Sequence, residues 1–214
     1  MTITIDDVVA KIEADIIFGF YYPRERLVEE QLITTTQAKR HVVRSALKEL
    51  ELRGLVTREP NKGAMVKALS ETEIDQVYEM RALLQGAVVD KMPNPFSSEY
   101  IEKLSDVHEK YSKAINQGNI VAVDHFNTEF HKILYSACSN KFLTDDIERY
   151  SLKVRVIRSH AIADPELLEK SCYEHSCMIE AIKNNDKERL KKLCVDHLWG
   201  ALEAYRTRNA LKGL

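Results

Sequence analysis

The stretch "DHFNTEFHKIL", residues 124–134, places an Asp, an Asn and two His within eight positions, and helical phase sorts them. Asn127 and His131 are four residues apart and share one face. Asp124 lies a further turn back on that face, about 10 Å of rise from His131, too far for one ion to bind both comfortably. His125 points roughly 120° away from His131 and drops out. The useful arm is therefore Asn127 with His131. His175 in "CYEHSCMIEAI" and His197 in "CVDHLWG" sit on two later segments. Each can turn inward beside Phe130 and His131 if those segments are neighbours. Three imidazoles can hold zinc or nickel and leave positions open for water or a carboxylate.

Other chemistries compete for the same residues. Cys172 with His175, and Cys194 with His197, repeat a Cys-x-x-His spacing that could form a Cys2His2 zinc site. A metal held by three His could also activate water for hydrolysis. Against an enzyme stands the lack of a carboxylate base beside the set, because phase points Glu129 and Glu174 away from it. Arginine is suited to bidentate carboxylate recognition. Arg155 and Arg158 in "KVRVIRSHAI" are one turn apart among Val154, Val156 and Ile157. Tyr135 and Tyr150 are further candidates for a hydrogen-bonding wall.

The elements that must position these groups are helices. The chain has 214 residues, 44% apolar and 30% charged, with only seven Gly and five Pro, which suits a mainly α protein with a real core. From Ser70 onward six long amphipathic segments follow one another. The first opens with a Ser-x-x-Glu capping box at Ser70 and Glu73, and the fourth, "LTDDIERYSLKVRVIRSHAI", stops before Pro165. The expectation is an all-α six-helix bundle over residues 70–214. No run approaches the ~18 apolar residues of a membrane span, and the acidic start "MTITIDD" is unlike a signal peptide. Four Cys do not make a disulfide framework, so a cytoplasmic setting is expected.

Residues 1–69 read differently. Residues 36–67 carry eight Lys or Arg against three Glu, although the whole chain has a net charge of −2. Such a basic segment suits nucleic acid. "IDDVVAKIEADIIFG", "RLVEEQLI" and "TTTQAKRHVVRSALKELELRG" read as three helices. "LVTREP" and "AMVKAL" read as two strands joined across "NKG". Three helices and a hairpin are the plan of a winged helix-turn-helix, whose third helix enters the major groove. With Val43, Ala46, Leu47 and Leu50 facing inward, Arg40, His41, Arg44 and Lys48 can face outward.

Here "RLVEEQL", "KRHVVRSALKELELRGLV" and "NKGAMV" resemble the DNA-binding domain of GntR-type bacterial regulators. That resemblance implies DNA contacts by Arg40 and Arg44, with Lys39 and His41 alongside and Lys62 and Gly63 at the wing. Lys39 stands where the family usually has a capping Ser, Val42 where Pro is usual, and Gln37 where Gly makes the turn. Thr35 or Thr36 could then cap the third helix earlier.

"FNTEFHKILYSACSN" and "EHSCMIEAIKNNDKERLKKLCVDHL" likewise resemble the FCD effector-binding domain of the FadR subfamily, in its six-helix, VanR-like form. Members with this pattern hold a divalent metal with one Asp and three His, which implies His131, His175 and His197 as ligands here. Asn127 stands where that Asp is usual. Arg81 is implied to face the effector cavity. Together the resemblances imply a homodimeric regulator, most simply a repressor, that binds an inverted-repeat operator in double-stranded DNA and responds to a small carboxylate. A sensor with the ion itself as effector remains the alternative.

Overall fold

The computed structural model describes residues 3–59, 63–162 and 164–212. The chain divides into two compact units, one of Met1–Asp75 with Ser151–Val156, the other of Gln76–Tyr150 with Ile157–Leu214.

In the first unit, α1 (Ile5–Ile17) starts at a reciprocal Thr4–Asp7 capping box and buries Val8, Val9, Ile12, Ile16 and Ile17. Of these, Val8, Val9, Ile12 and Ile16 pack with Val43, Ala46, Leu47 and Leu50 of α3 (Arg40–Leu52). Between them lie β1 (Arg26–Leu27) and α2 (Glu29–Thr36). After α3 come β2 (Val56–Glu59) and β3 (Gly63–Val66). The sheet is antiparallel in the order β1-β3-β2, with Arg26 opposite Met65 and Val56 opposite Val66.

Two sequence expectations for this unit change. "RLVEEQLI" is not helical throughout, because Arg26 and Leu27 pair with β3 and α2 begins only at Glu29. Nor does a Thr cap the third helix. Thr34, Thr35 and Thr36 finish α2, where the Thr36 hydroxyl donates to Leu32 O at 2.6 Å. The N-cap of α3 is Lys39, with no side-chain cap bond, so the ~1 kcal/mol a Ser there could add is absent. Gln37 takes the left-handed conformation at φ 56°, unfavourable by about 1–2 kcal/mol for a residue with a Cβ. Its amide donates to Thr34 O at 2.8 Å, which offsets part of that. The Val42 N–H, which a Pro would lack, donates to Lys39 O at 2.9 Å.

After the hairpin come α4 (Glu71–Asp90), α5 (Ser98–Asn116), α6 (Ile120–Ser136), α7 (Lys141–Lys153), α8 (Arg155–Ile162), α9 (Pro165–Lys183) and α10 (Lys187–Lys212), of which residues 71–75 and 151–156 fall in the first unit. Side chains of Ser97, Asn119 and Asp164 cap α5, α6 and α9, and Pro165 follows its cap at the first helical position. α5 packs on α6 and α9, and α9 packs on α10. Their shared core includes Leu104, Val107, Phe130, Leu134, Met178 and Ile182. The expected fourth helix is two: a turn at Val154 separates α7 from α8. The β-branched residues Val154, Val156 and Ile157 are weak helix formers, and both Val154 and Ile157 are buried. The bundle is all-α as expected, with the fourth of its six segments broken into α7 and α8.

Candidate functional site

Three helices bring the histidines together. His131 comes from α6, His175 from α9 and His197 from α10, with ring centroids 4.9–5.1 Å apart. Their nearest nitrogens all lie within 4.8 Å of one another, so small ring rotations would bring them onto one ion at bonds of about 2.0–2.1 Å. Phe130, one position before His131, stacks on His175 with centroids 4.0 Å apart and planes inclined by 12°. Tyr111 touches the same imidazole from α5 at 5.1 Å.

His175 is fully buried, yet among the described residues neither of its ring nitrogens has a hydrogen-bond partner, and Nδ1 of His131 has none either. Buried polar groups left so cost about 1–3 kcal/mol each, a cost that an ion would remove. Burial, then the neighbouring imidazoles and guanidiniums, hold His175 and His131 well below the ordinary histidine pKa. Both are therefore neutral near pH 7, the state in which imidazole ligates. Asn127, one turn before His131, is 5% exposed and its Nδ2 lacks a partner. The donor set fits a divalent ion.

One sequence expectation is reversed here. Glu174, expected to point away, holds His197: Oε2 lies 2.5 Å from Nδ1. A carboxylate on one imidazole nitrogen orients the ring and leaves the other free for a metal. Glu129 does point elsewhere, toward exposed His125 at 3.5 Å. The Cys2His2 arrangement does not form, since neither Cys172 nor Cys194 joins the histidine group. Burial pushes the Cys194 thiol up to about 12, and Cys172 is raised for the same reason.

The three arginines part company. Arg81 lies over the Tyr78 ring at 5.2 Å, with Nε buried and unpartnered. Gln85, one turn on, is buried with Oε1 unpartnered, and the Tyr135 hydroxyl is likewise buried without a partner. Arg158 Nη2 donates to Asp124 Oδ1 at 2.8 Å and to Thr128 Oγ1 at 2.9 Å. Both Arg81 and Arg158 act electrostatically on His131. Arg155 does otherwise: it belongs with the first unit and pairs with Glu13 of α1. Tyr150 lies beneath the Arg149 guanidinium at 5.5 Å. Sequence phase does not reveal Glu174, nor His108, whose ring lies 6.2 Å from His175.

On the first unit, Lys39, Arg40, His41 and Arg44 are exposed at the start of α3, while Val42 and Val43 between them are buried. Arg40 pairs with Glu30 at 2.6 Å and Arg44 with Glu29 at 2.9 Å. Gly63 opens β3 with φ +80° and is exposed. Lys62 lies outside the described residues.

Comparison with known proteins places both halves. Residues 76–199 match the family model described as "FCD domain", and residues 4–66 match "Bacterial regulatory proteins, gntR family". The chain is 25% identical over 180 residues to the uncharacterized HTH-type transcriptional regulator YdhC of Bacillus subtilis (strain 168), covering 84% of this chain and 80% of that protein. It is 24% identical over 206 residues to the HTH-type transcriptional repressor GlaR of Escherichia coli (strain K12), covering 92% and 94%. Among solved structures, E. coli McbR/YncC superposes with a TM-score of 0.80 at 17% identity, over 97% of this chain and 99% of that one. That likeness speaks to fold alone. Among the described residues no helix is long and apolar enough to cross a membrane.

Proposed function

Because the chain belongs to the GntR family of bacterial transcriptional regulators and carries an FCD domain, we propose that it is a homodimeric repressor controlled by a small organic acid and a divalent ion. Family membership makes it a DNA-binding regulator, not an enzyme. In this reading residues 1–69 bind an inverted-repeat operator and residues 70–214 dimerise and hold the effector. Lys39, Arg40, His41, Arg44 and the wing at Lys62 and Gly63 would contact DNA. Repression accords with the relative GlaR, which is named a repressor.

The observation that carries the metal reading is His175: wholly buried, with two unpartnered nitrogens, and facing His131 and His197 within 4.8 Å. These three would hold zinc or nickel, with Asn127 adding a weak carbonyl oxygen. A bound ion supplies Lewis acidity toward a carboxylate oxygen. Arg81 and Arg158 both act electrostatically on His131 and would take the acid's other oxygens. That pair favours an organic acid as effector over the ion alone. Binding linkage then requires that whatever the acid does to operator affinity, the operator does to acid affinity.

The test is gel-shift titration against the operator, with metal alone and with metal plus a panel of small carboxylates. Operator affinity that follows metal plus one acid supports the reading. Affinity that follows metal alone makes the chain a metal sensor, and affinity indifferent to both removes the effector site.

A further inference from the structure

Charge decides what the histidine centre can hold. Among the described residues, the grouped side chains offer an ion no anionic oxygen: His131, His175 and His197 would ligate through imidazole nitrogen, which binds a metal as the neutral ring, and Asn127, one turn before His131 on α6, offers only an amide. The nearby carboxylates act at one remove. Glu174 sits on Nδ1 of His197 at 2.5 Å, and Asp124 on Arg158 at 2.8 Å. Among the described residues, a divalent ion and the guanidiniums of Arg81 and Arg158, both of which act electrostatically on His131, exceed the charge of these two carboxylates by two, and the exposed Lys170 that also pairs with Glu174 at 3.9 Å does not lower that excess. In a buried site such an excess is far more unfavourable than in water. A monocarboxylate cancels half of it; a dicarboxylate cancels all of it.

We infer that the centre takes its ion and a dicarboxylate as a pair, each binding weakly without the other, and that Asn127 is the residue that makes them interdependent. This rests on the metal reading above and goes further, by fixing the charge of the acid and naming its cause. An Asp at position 127 would bring an anionic oxygen into the ion's reach and remove one of the two excess charges. The ion would then bind alone, and the acid would gain little from it.

The experiment is calorimetric titration of zinc into the metal-stripped full chain, alone, with malonate and with acetate, corrected for each acid's own binding of zinc. Malonate should raise the zinc affinity of the unmodified protein about tenfold or more, and acetate less than about threefold. Asn127→Asp should bind zinc tightly with no acid, and the malonate gain should fall to about threefold or less. Zinc binding indifferent to malonate, or equally helped by acetate, overturns the inference and leaves the metal site standing. Absence of zinc binding in both proteins with either acid overturns the metal reading as well. The malonate and acetate arms on the unmodified chain decide the matter even if Asn127→Asp folds poorly.

Discussion

Glu174 Oε2 lies 2.5 Å from Nδ1 of His197, one residue before the fully buried His175 on the same helix. Neighbouring positions on α9 thus serve two functions. In the proposed metal site His175 would offer its own nitrogen, and Glu174, which reaches His197 of α10, would set the ring that offers another. Removing the carboxylate while keeping its shape, with Glu174→Gln, should weaken zinc binding about 10- to 100-fold with little change in fold. Competition against a fluorescent zinc chelator reads this directly, and an unchanged affinity would remove Glu174 from the site.

Zinc should stabilise the chain by mass action. At a free concentration about 100 times its dissociation constant, a ligand specific to the folded state adds about 2.7 kcal/mol. For a chain of this size that is a rise in Tm of roughly 5–10 °C. EDTA should reverse it, and His175→Ala should abolish it. Thermal unfolding by circular dichroism, with and without metal, checks all three.

Arg40 and Arg44 stand exposed at the start of α3, one turn apart. Replacing both with Ala should abolish specific operator binding while sedimentation shows an unchanged oligomer. Any remaining non-specific affinity should fall less steeply with salt, by about one unit of slope for each phosphate that the variant no longer neutralises. Retained footprinting by the double variant would exclude α3 as the reading helix.

Cys194 is 1% exposed, and burial raises its thiol to about 12. Since the thiolate is the reactive form, iodoacetamide at pH 8.5 should leave Cys194 unmodified in the native protein and label it only after denaturation. Peptide mass spectrometry distinguishes the two. Native labelling would mean that α10 opens locally.

Helical phase finds much of the site from sequence. His131, His175 and His197 lie on apolar stripes, and the stripes do converge. What phase cannot see is which neighbour covers the edge of a stripe. Glu174 lies a third of a turn from His175 and reads as solvent-facing, but α10 approaches on that side and places His197 against it. Arg155 and Arg158 share a face by spacing and read as one clamp. The turn at Val154 starts a new helix just before Arg155, which pairs with Glu13, whereas Arg158 bonds Asp124. β1 is invisible to periodicity because two residues carry none. Its pairing with β3 emerges only once the hairpin exists.

The pairing of Arg40 with Glu30 and of Arg44 with Glu29 has a kinetic consequence. Two cations each matched by an anion project almost no field beyond a Debye length, about 8 Å at physiological salt. Arg40 and Arg44 thus add little to any long-range pull on DNA, which would fall to the exposed Lys39 and Lys48 beside them. Only a phosphate or base edge already in close register can compete the glutamates away. If α3 reads DNA as proposed, the two acids would act as a toll on loose encounters, shortening stays on the wrong sequence and leaving more of the protein free to search.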